Sequence, residues 1–105
     1  MVLEFSNIID KISSRFSPEK IILFGSYAQG TQNNDSDIDL LVIENSNQPK
    51  YKRSALIRLA LQEFRYPFDI LVYSEEEFEY NKDTTNHILN EISRTGIILY
   101  DRKAL

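Results

Sequence analysis

Residues 24–44 read FGSYAQGTQNNDSDIDLLVIE. The apolar run Ile21-Ile22-Leu23-Phe24 leads into Gly25-Ser26, ten residues separate Ser26 from Asp37, and Asp37-Ile38-Asp39 opens a second apolar run, Leu40-Leu41-Val42-Ile43. This pattern predicts a strand (about 20–25), a glycine–serine turn, a short helical turn over 26–31, a polar loop, and a second strand over 37–44 with two acids at its start. Side chains alternate along a strand, so Asp37 and Asp39 share one face about 7 Å apart. Ile38 and Leu40 point the other way, into a core.

Two neighbouring carboxylates repel unless a cation lies between them, and an all-oxygen donor set suits a hard ion such as Mg²⁺. The Gly25-Ser26 turn leads into a helix start, whose free N–H groups attract phosphate. Gly25 lets backbone come close to a ligand, and the Ser26 hydroxyl can donate to a phosphate oxygen. A phosphate cradle beside metal-binding acids is what nucleotide chemistry requires. Rival readings fail on spacing. Asp35, Asp37 and Asp39 match the first three ligands of a calcium loop, but its sixth and twelfth places hold Leu40 and Ser46 instead of Gly and Glu. No Gly-Lys-Ser/Thr follows the glycines, and Gly25 to Gly30 does not give G-x-G-x-x-G.

The pattern Gly-Ser, ten residues, Asp-x-Asp resembles the signature of the minimal nucleotidyltransferases (MNT) of the DNA polymerase-β superfamily. Gly25, Ser26, Asp37 and Asp39 match it position by position, and Gly30 matches a second glycine often found in this loop. The order of elements fits across nearly all 105 residues. Tyr27 and Gln29 stand where similar loops often carry arginine. The resemblance implies an α/β (α+β) fold, with a small mixed, partly antiparallel sheet flanked by helices. It implies transfer of AMP from ATP to a hydroxyl, with two Mg²⁺ held by Asp37 and Asp39 and the β/γ-phosphates held by Gly25 and Ser26. It also implies a third carboxylate from the strand beside Asp-x-Asp. Asp69 fits that place, because Asp83 and Asp101 lie in predicted loops; the plainer reading of Asp69 is a surface-facing strand residue. Asp69 would complete the second ion and help activate the acceptor. Members of this size resemble the antitoxin half of HEPN/MNT pairs, which makes a HEPN ribonuclease toxin, modified on tyrosine, the expected partner. An antitoxin that masks its toxin by stoichiometric binding is the alternative.

Composition narrows the remaining classes. A chain of 105 residues predicts one domain over 1–105. Net charge is −4, from 12 Lys+Arg against 16 Asp+Glu, a poor match for direct nucleic-acid binding. With no cysteine and one histidine, disulfides and thiolate or histidine zinc sites are not expected. Neither a signal peptide nor a membrane span is legible, so the expected compartment is the cytoplasm.

Elsewhere, Phe5, Ile8, Ile9, Ile12 and Phe16 form one stripe of a helix over 2–16, ended by Ser17-Pro18. Glu44 to Pro49 reads as a linker. A helix is predicted over 50–64, with Leu56, Leu59, Ala60 and Phe64 as its apolar stripe. Five of the 12 basic residues lie in or beside it (Lys50, Lys52, Arg53, Arg58, Arg65), read as a solvated face. Strand three spans Phe68 to Tyr73, and Ser74 caps a helix with acids in its first turn. A helix near 84–94 should bury Ile88, Leu89 and Ile92, place His87 on its surface and end at Gly96. Ile97 to Tyr100 forms a last short strand, and Asp101 to Leu105 a loose tail. Tyr27 and Tyr51 are candidates to stack on a base.

Overall fold

The computed structural model describes residues 5–104. Helix α1 (Phe5–Arg15) leads into β1 (Lys20–Phe24), α2 (Gly25–Gln29) and β2 (Ile38–Ile43). Then come α3 (Lys50–Ala60) with a 3₁₀ turn at Gln62–Phe64, β3 (Phe68–Tyr73), α4 (Glu75–Asn81), α5 (Ile88–Thr95) and β4 (Ile97–Asp101). Among the described residues the strands form one mixed sheet of order β3-β2-β1-β4. β1 pairs antiparallel with β2 and β4, and β2 pairs parallel with β3. The expected fold class is thus the observed one. α3 supplies the crossover that a parallel pair requires.

Strand alternation sorts the core into two layers. Ile21 and Leu23, Ile38, Leu40 and Val42, and Ile70 and Val72 face α1 and α3, where they meet Ile8, Ile12, Ile57 and Leu61. Ile22, Leu41 and Ile43 face the opposite way, onto Phe78 of α4 and Leu89 and Ile92 of α5. The near-continuous apolar runs of β1 and β2 follow from this burial on both faces. α4 starts as expected, with a capping box: the Ser74 hydroxyl accepts from the Glu77 N–H at 3.1 Å and the Glu77 carboxylate from the Ser74 N–H at 2.9 Å. No helix of the described residues is long and apolar enough to cross a membrane.

Several expectations are corrected. In α3 the buried stripe is Ile57 and Leu61, while Leu56 and Leu59 are 37% and 64% exposed. Positions 55–57 and 59–61 are all apolar, more than one face can bury, so packing of α3 against β3 and α1 made the choice. α5 starts only at Ile88, which is exposed. His87 is not on the helix surface but caps it, its Nδ1 accepting from the Leu89 N–H at 3.0 Å. Gly96 follows α5 in an extended conformation; a Cβ there would lie 2.6 Å from the Ile92 carbonyl oxygen and 2.7 Å from Ile22 Cγ2, so space and not a left-handed turn requires glycine. Asp101 belongs to β4, and the tail beyond it is tethered by the Arg102 N–H donating to the Glu19 carbonyl at 2.9 Å and by Lys103–Glu75; Leu105 lies outside the described residues. Glu44 is not linker-like but buried, held by Arg53 through Nε–Oε1 at 2.8 Å and Nη2–Oε2 at 2.5 Å.

Candidate active site

The acids gather at one end of the sheet because of register. Asp39 is the second residue of β2, opposite Phe24 of β1 on one side and Asp69 of β3 on the other. Phe24, Asp39 and Asp69 continue the face that Ile22, Leu41 and Leu71 present to α4 and α5. Asp37 lies just before β2, and the Ile38 N–H donating to the Pro67 carbonyl at 2.8 Å ties this entrance to the start of β3. Asp37 and Asp69 are exposed and Asp39 half-buried. Ile38 and Leu40 are buried on the opposite face, as their alternation predicts.

Gly25 follows β1 directly, beside Asp39, with φ +72°, in the left-handed region that favours glycine. A Cβ at Gly25 would lie 2.1 Å from Asp39 Oδ2, so the missing side chain is the space that the carboxylate fills. Gly25 and Ser26 open α2, whose N-terminus has no side-chain cap, and Gly30 closes it at φ +74°. The Thr31 N–H donates to the Ser26 carbonyl at 3.0 Å, completing the turn. α2 has no basic residue in its last turn, and Tyr27 packs on the core of the α1/α3 layer. Tyr51, 77% exposed, stands on α3.

Burial, followed by the charges of Asp69 and Asp37, holds the Asp39 carboxyl above its ordinary range. Asp69 and Asp37 thus each lie within electrostatic reach of Asp39. Among the described residues, no three acidic or histidine side chains converge closely enough to enclose an ion unaided. Mg²⁺ is commonly held by one or two carboxylates together with substrate phosphates, so these acids would hold it only in company with a nucleotide.

The local pattern exposed Gly25, Ser26, Asp37 and Asp39. It did not expose a groove of about 560 Å³ between α3 and the start of β3, lined by residues including Asp37, Ala55, Arg58, Leu59, Pro67 and Phe68. The surplus of apolar residues in α3 is the signal that could have shown it.

The profile of the nucleotidyltransferase domain family matches residues 5–94. Two Methanocaldococcus jannaschii proteins carrying the provisional name protein adenylyltransferase are similar in sequence. One is 36% identical over 107 residues, covering 92% of this chain and 72% of the relative. The other is 33% identical over 99 residues, covering 94% of each. In fold, the chain is similar to a crystal structure from Sulfolobus solfataricus provisionally named a nucleotidyltransferase, with TM-score 0.65 and 22% identity over 94% of this chain and 78% of that one. It is also similar to a chain in a toxin–antitoxin structure with AMP-PNP, with TM-score 0.71 and 23% identity over 97% and 77%. A chain in a variant of the toxin–antitoxin MntA–HpeT gives TM-score 0.72 and 20% identity over 97% and 77%.

Proposed function

The chain belongs to the nucleotidyltransferase domain family, and we propose that it transfers AMP from ATP to a hydroxyl of a partner protein, a HEPN-type toxin modified on tyrosine. The observation that carries this reading is the fit of Asp39 into the space left by Gly25, with Asp37 and Asp69 in electrostatic reach. The names of the M. jannaschii relatives support a protein acceptor. The fold shared with a chain of a toxin–antitoxin complex supports a toxin as that acceptor.

In this reading Asp37 and Asp39 would hold two Mg²⁺ together with the triphosphate, and Asp69 would complete the second ion. Bound Mg²⁺ neutralises phosphate charge and lowers the pKa of a coordinated hydroxyl. Gly25 lets the chain approach the β/γ-phosphates, and Ser26 donates to them. Asp69, exposed on β3, would assist removal of the acceptor's hydroxyl proton. The acceptor oxygen bonds to the α-phosphorus, the bond from that phosphorus to the bridging oxygen breaks, and pyrophosphate leaves. The chain's contribution is position and charge. The domain, over 1–105, acts on an acceptor brought by another protein, without binding nucleic acid, in the cytoplasm.

The test is to incubate the purified protein with Mg-ATP and the suspected HEPN-type toxin, and to weigh the toxin. A gain of one or more AMP units, absent with Asp37→Asn/Asp39→Asn, is expected. One observation favours stoichiometric masking instead: α2 carries no basic residue in its last turn to offset a triphosphate. An unmodified toxin, inhibited equally by the double variant, establishes masking.

A further inference from the structure

Strand register places Asp39 and Asp69, but it does not place Asp37. Strand β2 begins at Ile38, so Asp37 lies in the connection from α2 and has no register partner in β1 or β3. Asp37 is also exposed, so burial does not orient it. The chain is fixed instead on both sides of it. After Asp37, Ile38 is fully buried and its N–H donates to the Pro67 carbonyl at 2.8 Å. Before Asp37, residues 33–36 close on themselves. The Ser36 N–H donates to the Asn33 carbonyl at 3.2 Å, which makes a β-turn. The Asn33 N–H donates back to Ser36 Oγ at 2.9 Å. Within the same turn the Asp35 N–H donates to Asn33 Oδ1 at 2.8 Å, the local bond that asparagine side chains offer to turns.

A polar segment such as Thr31–Ser36 buries too little to be ordered by packing; Ser36 is half-buried and the five residues before it are exposed. Its order comes from these side-chain bonds to the backbone. We infer that Asn33 and Ser36 are positioning residues for Asp37: their turn, with the Ile38–Pro67 bond on the other side, fixes the Asp37 backbone at the entrance of β2 before a nucleotide arrives. Each acts through Asp37 and touches no reacting atom. A carboxylate already in place loses less freedom on binding than one that binding must order. The turn lies apart from both layers of the core, so removing one of its bonds should affect the site more than the fold. The inference rests on the nucleotidyl-transfer reading for the ligand that Asp37 serves.

The experiment is a double-variant cycle on the full chain, read by calorimetric titration with Mg-ATP. Ser36→Ala removes the acceptor for the Asn33 N–H and should weaken Mg-ATP about fivefold, the scale of one hydrogen bond. Ser36→Thr keeps a hydroxyl and should restore wild-type affinity. Asn33→Ala removes the acceptor for the Asp35 N–H, should weaken binding to a similar extent, and provides a second variant should Ser36→Ala fail to fold. The decisive arm repeats both alanine variants on Asp37→Asn. A turn that acts through Asp37 should matter little once that carboxylate is gone, by about twofold at most. Weakening by the same factor with and without Asp37 marks a merely structural turn and overturns the inference. Wild-type affinity in both alanine variants, with Asp37→Asn weakened, overturns it as well. Asp37→Asn binding Mg-ATP like the wild type sinks the transfer reading instead. Amide NMR of the free protein then decides the turn: Asn33→Ala should shift the Asp37 amide signal, and an unmoved signal overturns the inference.

Discussion

Gly25 and Asp39 fit each other so closely that a Cβ on the first would sit 2.1 Å from Oδ2 of the second. The contact joins the end of β1 to the start of β2 across their antiparallel pair, next to the Phe24–Asp39 register. It explains why the glycine of the Gly-Ser turn and the acid fourteen positions further on form one local unit.

Gly25→Ala should therefore disturb both stability and nucleotide binding. The left-handed backbone alone costs a non-glycine residue about 1–2 kcal/mol, and the added methyl must displace the carboxylate. Thermal unfolding should show a lowered Tm, and calorimetric titration with Mg-ATP a lost or weakened heat. An unaltered titration would show that the Asp39 carboxylate position is immaterial to the nucleotide.

The raised pKa of Asp39 gives a pH dependence whose sign follows from linkage. The folded state holds this proton more tightly than the unfolded state does, so the stabilising contribution is complete below the ordinary value of 3.8 and is lost as pH rises through the folded value. In buffer with chelator, wild type should lose Tm relative to Asp39→Asn across the acid range above 3.8. Added Mg²⁺ should restore wild type more than the variant. Parallel Tm–pH curves for the two proteins would refute the charge repulsion.

Asp69 stands on the neighbouring strand and is exposed, so Asp69→Ala should spare nucleotide binding more than transfer. Asp37 and Asp39 remain to hold Mg-ATP, while assistance to the acceptor hydroxyl is lost, on the order of 10²-fold or more in turnover. Calorimetry and AMP incorporation measured on one preparation separate the two effects. A parallel fall in both would remove the separate role.

The Glu44–Arg53 pair ties the end of β2 to α3, with side chains only 4% and 16% exposed. Arg53→Ala leaves a buried carboxylate without its partner and should cost about 3–5 kcal/mol in urea unfolding. Replacing both residues by methionine should cost clearly less, because no orphaned charge remains. Equal losses would mean that packing, including that of Arg53 over the Phe16 ring, outweighs the charge.

What could be read directly was local. Gly25, Ser26, Asp37 and Asp39 lie in one segment, and the strand period alone sends Asp37 and Asp39 to one face and Ile38 and Leu40 to the other. Strand β3 was legible end to end, and Ser74 announced α4, because a capping box is satisfied within four residues. Choices between distant segments were less legible. In α3 the apolar residues offered two faces, and Ile57 and Leu61 went inward only because α3 meets the sheet there. Glu44 looked like the first residue of a polar linker because its partner Arg53 lies across a loop and on the next helix.

The sequence by itself determined the glycine–serine turn, the paired acids at a strand entrance and the alternation of strands with helices, since backbone periodicity and turn chemistry act between near neighbours. The tertiary structure alone decided that Asp69 stands level with Asp39, that the Asp39 carboxylate fills the space of Gly25's absent side chain, and that Leu59 lines an open groove beside Asp37. Those relations depend on strand register and helix packing, where free energy is shared among residues far apart in the chain and no single segment carries the answer.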